Sequence, residues 1–270
     1  MKMVSKAQSE AVENFSENLN VAGRSLWQDA RRRFMSNKAA MTSLLLLGCV
    51  ALFVIFAPLF SEYSYDHTDW GMMSNPPDFE SGHYLGTDSN GRDIFVRIAV
   101  GGSISLLVGL SAAFVAVLMG TFYGSLSGYV GGKLDSLMMR VLELLNSFPF
   151  MFFVILLVTF FGKNLFLIFL AIGMVSWLDM ARIVRGQTLS LKNREFIEAA
   201  RVSGVSMPGI IFWHIVPNVL GVVVVYASLL VPSMILFESF LSYLGLGVQE
   251  PMSSWGSLLA DGANSMEVAP

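Results

Sequence analysis

Apolar residues occupy this chain in long unbroken runs, and the runs are long enough to predict membrane-spanning helices. Crossing a bilayer takes roughly 18 consecutive apolar residues. The first stretch, Ala39 to Phe60, carries no charged residue. From Ile98 to Gly132 there is no Asp, Glu, Lys or Arg either, which predicts a second span from Ile98 to about Phe122. A third is expected from about Leu142 to Phe161 and a fourth from Asn164 to about Met180, with only Gly162 and Lys163 between them. The fifth covers about Asn218 to Leu244 and is interrupted late by Glu238. The pattern therefore predicts an all-α, polytopic membrane protein with five transmembrane helices.

Between the fourth and fifth runs the pattern changes from apolar to amphipathic. Phe196, Ala199, Ala200 and Ser203 recur at i, i+3, i+4 and i+7 and give one smooth helical face that another surface can approach closely. Gly204 suits the left-handed conformation at a helix C-terminus. Ser206 is placed to cap a second helix, whose early Pro208 needs no intrahelical hydrogen bond and whose end is expected near Pro217. A DNA-reading helix-turn-helix has similar spacing but needs Lys or Arg in its second helix. Here that helix reads IIFWHIV and no Lys or Arg follows Arg201, which argues against a nucleic-acid partner. The hairpin reads instead as a handle for another protein.

Composition agrees with a lipid environment. The chain is 54% hydrophobic and 14% charged, where soluble domains carry about 25% charged residues. Fourteen of its seventeen Lys and Arg lie in residues 1–40, 123–140 and 182–217, all on one side if the spans alternate. That side is cytoplasmic, which puts the N-terminus and the hairpin inside. Segments 61–97 and 245–270 then lie outside. Two domains follow: residues 1–38 as a cytoplasmic N-terminal segment and 39–270 as the transmembrane domain, with an external loop at 61–97 and the hairpin region at 182–217.

Smaller signals refine this outline. The polar N-terminus is too long, and the apolar stretch after it too extended, for a cleavable signal peptide. Leu26, Trp27, Ala30 and Phe34 share one face beside Arg31, Arg32 and Arg33, as in a helix lying in the membrane interface. An ordinary basic anchor before the first span is the other reading. Gly120, Gly124, Gly128 and Gly132 recur every fourth residue, a spacing that lets two membrane helices touch backbone to backbone or that serves as a hinge.

No chemistry of the chain's own is evident. The single cysteine, Cys49, excludes an internal disulfide framework and a cysteine-rich metal site. His67, His83 and His214 are far apart, so no metal and no cofactor is expected. Gly132-Lys133 is followed by Leu134, so there is no phosphate-binding GxxxxGK[ST], and there is no GxSxG. A transport subunit rather than an enzyme is the reading. A stand-alone secondary transporter would need ionisable groups within the lipid. The candidates are Glu143 and Asp179, each with an arginine near it (Arg140, Arg182), and the deeper Glu238.

Two motifs carry a resemblance. Glu198, Ala199 and Ala200 with Gly204, Ile215 and Pro217 resemble the EAA loop of ABC-transporter permease subunits. On the other face HYLGTDSNGRD, through Gly86, Thr87, Asp88, Gly91, Arg92 and Asp93, is similar to the LGTDxxGRD signature of peptide and nickel permeases. The likeness covers almost the whole chain and is nearest to the oligopeptide permease C subunits of Gram-negative bacteria. It implies a bacterial inner-membrane importer in which Glu198, Ala199, Ala200, Gly204 and Pro217 form the coupling site for the ATPase. The implied partners are a homologous permease B subunit, two ABC ATPase subunits and a periplasmic binding protein that delivers peptide. Dipeptide or nickel permeases are the alternative. The chain departs from the general EAA pattern at His214 and Val216. The family has six spans, so the five found here lead to the expectation that the native polypeptide continues past Pro270 into a sixth.

Overall fold

The computed structural model describes residues 26–163 and 165–266. Among them the regular structure is helical, with two isolated backbone bridges, Asp78 to His83 and Thr87 to Asp93, in the loop between the first two long helices. The expectations for residues 1–25, for Asn164, for the Leu26 and Trp27 side chains and for the chain end at Pro270 lie outside the described residues.

The chain divides into two compact units, residues 1–52 and 53–270. The first contains α1 (Leu26–Ser36) and most of α2 (Lys38–Phe60). Asn37 joins them and caps α2: its side-chain oxygen accepts the N–H groups of Ala39 at 3.1 Å and Ala40 at 3.3 Å. Leu44, Leu45, Leu46 and Leu47 are all exposed, so this part of α2 is apolar on every side, as suits a helix surrounded by lipid.

The second unit begins with the last turns of α2, where Val54 and Ala57 are buried and the Phe53 ring meets Phe95 edge-on at 5.5 Å. It continues through α3 (Ile94–Val130), α4 (Gly132–Ser147), α5 (Phe150–Phe161), α6 (Leu165–Leu191) and α7 (Glu195–Val202). Then α8 (Met207–Ile210) runs through a π-helical turn, Ile211–Ile215, into α9 (Val216–Tyr243), and α10 (Trp255–Ser265) follows. Its axis is the packing of α3 on α6. Gly120, Gly124 and Gly128 lie along that seam: a Cβ added at Gly120 would sit 2.5 Å from Met180 Cγ, and one at Gly128 2.8 Å from the Arg185 carbonyl oxygen. The backbones thus touch where there are no side chains, and the packing reading of the glycine repeat holds for three of its four members. Gly132 is the exception, since it is the first residue of α4, at φ 59° with open space around it.

Among the described residues three helices are long and apolar enough to cross a membrane, α2, α3 and the continuous Met207–Tyr243 helix; a fourth crossing appears if the bent pair α4 and α5 counts as one. Several predicted boundaries change. α3 begins at Ile94, inside the segment assigned to the external loop, and runs 37 residues, about 55 Å at the α-helical rise. That exceeds the roughly 30 Å of a bilayer core. The predicted third span is not straight: α4 and the helix from Met151 to Phe161 meet at 75°. Pro149 is the reason. It lacks an N–H and forces Phe148 into an extended conformation at ψ 127°, so the helix stops and restarts. α6 runs on past Met180 to Leu191.

Candidate functional site

Between α6 and α9 the chain forms α7, a turn at Gly204 and the short α8. Gly204, just past the end of α7, has φ 80°. The Gly204 N–H donates to Arg201 O and the Val205 N–H to Ala200 O, both at 3.1 Å, the paired closure of a glycine-terminated helix. Ile197 and Ala200 face inward and join the same buried cluster as Ile210, Ile211 and Ile215. Glu198, Ala199 and Gly204 are exposed, with Phe196, Ser203 and Val202 beside them, Val202 at 89%. Of the face predicted from spacing, Ala200 is turned into the core and the other three positions are open. Arg201 lies over the Tyr129 ring at 5.8 Å, which ties the hairpin to the end of α3.

Two local expectations fail. Ser206 stands at the N-cap position of α8, but its side chain makes no capping bond. The second helix does not end near Pro217. The Val216 N–H reaches back five residues to Ile211 O, and this widened turn takes up the disruption that Pro217 would otherwise cause. Pro217, exposed, therefore stands about 15 Å up the helix from Met207.

At the N-terminal end of α3, the six motif residues come together as a staple. Gly86 and Gly91 take φ 77° and 74°, and a side chain on Gly91 would run into the Asp69 carbonyl. Thr87 accepts the Asn75 N–H at 3.0 Å and donates to Met72 O. The Asp88 carboxylate accepts the N–H groups of Asn90 at 2.8 Å and Arg92 at 2.9 Å, Arg92 Nε at 2.9 Å, and an Arg97 nitrogen. Burial alone would raise its pKa; the Arg92 amide, the Arg97 charge and the other donors outweigh that and hold it below the usual carboxylate range. Arg92 also reaches Glu250 at 2.7 Å, so the network joins the loop to the segment after α9. Asp93 caps α3 through the Val96 N–H at 2.8 Å and accepts His83 Nδ1 at 2.8 Å.

Spacing did not reveal Arg97, Glu250, His83 or Tyr63 as members. Arg97 is 1% exposed and anchors the staple to Asp88, and its carbonyl accepts Ser253 Oγ at 3.2 Å. Tyr63 stacks on His83 at 4.1 Å and on His67 at 5.8 Å, so two histidines remote in sequence flank one ring. Arg97 could have been suspected as a lone cation at the head of an apolar run; the others carry no local signal.

The three ionisable groups singled out within apolar runs each have partners. Glu143 accepts Arg140 and Asp179 accepts Arg182, each at 2.8 Å and three residues apart on one helix. Glu238 is wholly buried and accepts Ser105 Oγ at 3.0 Å and Ser242 Oγ at 2.7 Å; Ser105 Oγ in turn accepts the Trp255 N–H at 3.1 Å. It thereby links α9 to α3 and to the start of α10. Among the described residues no group of His, Cys, Asp and Glu is arranged to hold a metal ion.

Comparison with known proteins places this architecture. Residues 116–267 match the family described as "Binding-protein-dependent transport system inner membrane component", and residues 25–77 match "N-terminal TM domain of oligopeptide transport permease C". The chain is 75% identical over 268 residues to "Oligopeptide transport system permease protein OppC" of Escherichia coli (strain K12), covering 99% of this chain and 89% of the relative. The protein of the same name from Haemophilus influenzae is 64% identical, with 97% and 84% covered. The "Dipeptide transport system permease protein DppC" of Bacillus subtilis is 42% identical, with 87% and 73% covered. The chain belongs to the family of binding-protein-dependent transport system inner membrane components.

Proposed function

We propose that this chain is the transmembrane subunit of an ATP-driven importer that carries oligopeptides from periplasm to cytoplasm. The observation that carries the reading is the 75% identity across 99% of the chain to a relative named for oligopeptide transport. The relative named for dipeptide transport shares 42%, which ranks that substrate second. In this reading five segments cross the inner membrane: α2, α3, the bent pair α4 and α5, α6, and α9. Residues 1–38 form the cytoplasmic N-terminal segment and 39–270 the permease domain. The exposed Glu198, Ala199 and Gly204 receive one of two ABC ATPase subunits, Ala200 holds α7 to the core, and Pro217 shapes the helix that carries the hairpin. The staple of Gly86, Thr87, Asp88, Gly91, Arg92 and Asp93 faces the periplasmic binding protein. A homologous permease B subunit completes the path.

Uptake assays in cells lacking their own peptide permeases test the reading. Co-expression of the complete importer is expected to give ATPase-dependent uptake of peptides several residues long. Uptake that persists after deletion of the ATPase subunits would refute it, and uptake restricted to dipeptides or nickel would move the substrate to the alternative.

The docking role has its own test. Ala199→Arg places a bulky cation on the open face of α7 without touching the buried side. Membrane insertion is expected to persist and transport to fall to background. Gly204→Asn, which tolerates positive φ, is expected to retain transport where Gly204→Val loses it. An Ala199→Arg complex that assembles and transports normally would remove the hairpin from the coupling site.

Orientation can be read by labelling. Ser89, Asn264 and Ser190 are exposed or nearly so. With Cys49 replaced by Ala, a cysteine at Ser89 or Asn264 is expected to react with an impermeant thiol reagent in intact cells, and one at Ser190 only after permeabilisation. Reaction at Ser190 in intact cells would reverse the topology.

A further inference from the structure

The groove between α4 and α6 has a cavity volume of about 510 Å³ and is lined by Ser136, Met139, Arg140, Glu143, Arg182 and Arg185. Three guanidinium groups therefore face one carboxylate. Each is anchored by an acid: Arg185 by Asp135 through Nε at 2.5 Å and a second nitrogen at 2.6 Å, Arg182 by Asp179 and Arg140 by Glu143, both at 2.8 Å. A guanidinium has five N–H donors, and these pairs engage only one or two on each arginine. The Arg140–Glu143 pair is 74% and 58% exposed and the Arg182–Asp179 pair 36% and 63%, the class of solvent-reached ion pair that a stronger oxyanion displaces readily.

The surroundings say which oxyanion. α4 has three faces: Asp135 and Leu142 are buried, Ser136, Arg140 and Glu143 line the groove, and Leu137, Val141 and Leu144 form an adjoining face. That third face is open, with Leu137 63% and Leu144 60% exposed. The groove also lies where the apolar part of α6 gives way to charge, since Met180 is followed by Arg182 and Arg185. An oxyanion site at the edge of an apolar run, flanked by an open leucine stripe, has the two chemistries of a phospholipid in the right order.

We propose that this groove is a binding site for an anionic phospholipid, with the headgroup phosphodiester on Arg140 and Arg182 and the acyl chains along Leu137, Val141 and Leu144. Arg185 is the positioning residue, held by Asp135 so that α6 keeps its distance from α4. The shared chemistry is an oxyanion, which a lipid headgroup or free phosphate could supply, and the acyl-sized apolar face favours the lipid. The site is independent of which peptide is carried.

The test uses the assembled importer in detergent, stripped of lipid and titrated with phosphatidylglycerol or phosphatidylcholine, with bound lipid counted by native mass spectrometry. Saturable retention of phosphatidylglycerol is expected, weakened about tenfold in an Arg140→Gln/Arg182→Gln variant and largely kept in the Arg140→Lys/Arg182→Lys variant. Glu143→Gln, which removes the competing carboxylate, is expected to tighten it. Equal retention by wild type and the Gln variant, or equal retention of phosphatidylcholine, would overturn the site. Displacement by inorganic phosphate at matched concentration would overturn the lipid assignment. An isolated subunit that binds lipid while the assembled importer does not would show that a partner subunit covers the groove, and would overturn it too.

Discussion

Replacing Asp88 by alanine is expected to dismantle the staple around it and to cost the folded subunit about 3 to 5 kcal/mol, the range for breaking a buried ion pair by removing one partner. The loss is large because Asp88 satisfies two arginines at once. Arg97, 1% exposed, would keep only Asp261 at 3.9 Å, and Arg92 would keep only the exposed Glu250. The amides of Asn90 and Arg92 would also lose their acceptor. Asp88→Asn preserves shape and accepts some of these bonds, so its cost is expected to be smaller. Thermal unfolding of the purified subunit checks the order; an Asp88→Ala protein as stable as wild type would mean the staple contributes nothing.

The same carboxylate gives the staple a pH dependence with a definite sign. The Asp88 carboxyl is held below its ordinary range in the fold, so its contribution is present at neutral pH. It is lost as the pH falls below about 4, where the unfolded chain binds the proton first. Burial pushes the Asp261 carboxyl up despite the nearby Arg97 and Arg92, so that group titrates with the opposite sign and offsets part of the loss. Stability is therefore expected to fall on acidification in the wild type and to be flatter in Asp88→Asn when unfolding is followed from pH 7 downward.

Gly124→Leu is expected to damage the helical bundle severely. An added Cβ would run into the Ala181 carbonyl oxygen and come within 2.8 Å of the Arg185 nitrogen and Val184 Cβ. Two of these three obstacles are backbone, so α3 and α6 must separate along their whole contact. Overpacking costs about 1 to 3 kcal/mol even where side chains can move aside, and here about 3 kcal/mol or more is expected. Gly221, on the exposed side of α9 with open space around it, is the control: Gly221→Ala adds a methyl and helix propensity and is expected to be neutral or mildly stabilising. Protease resistance and thermal unfolding of both variants would decide the matter. A Gly124→Leu subunit that behaves like Gly221→Ala would mean the seam is not close-packed.

The sequence by itself determined the helical class, the presence of long apolar helices, the turn at Gly204 and the use of glycine at Gly120, Gly124 and Gly128. Those features follow from local causes: bilayer thickness needs a run of fixed length, a left-handed turn needs glycine, and a fourfold repeat of small residues lies on one helix face. Apolarity alone, however, cannot show where a helix bends, so Pro149 was absorbed into a straight third span. Nor did the rule that proline ends helices foresee the π turn at Ile211–Ile215, which lets the hairpin's second helix continue through Pro217. Only the tertiary structure decided which side of α7 is buried, because Ile197 and Ala200 face inward as members of the buried cluster that also holds Ile210, Ile211 and Ile215. The motif residues from Gly86 to Asp93 were legible as a group, but not their partners. Arg92 meets Glu250 at a separation of 158 positions in the chain, and Glu238 reaches Ser105 at a separation of 133. Side chains so distant in sequence are brought together by the packing of α3, α6 and α9, and no local pattern of residues encodes that packing.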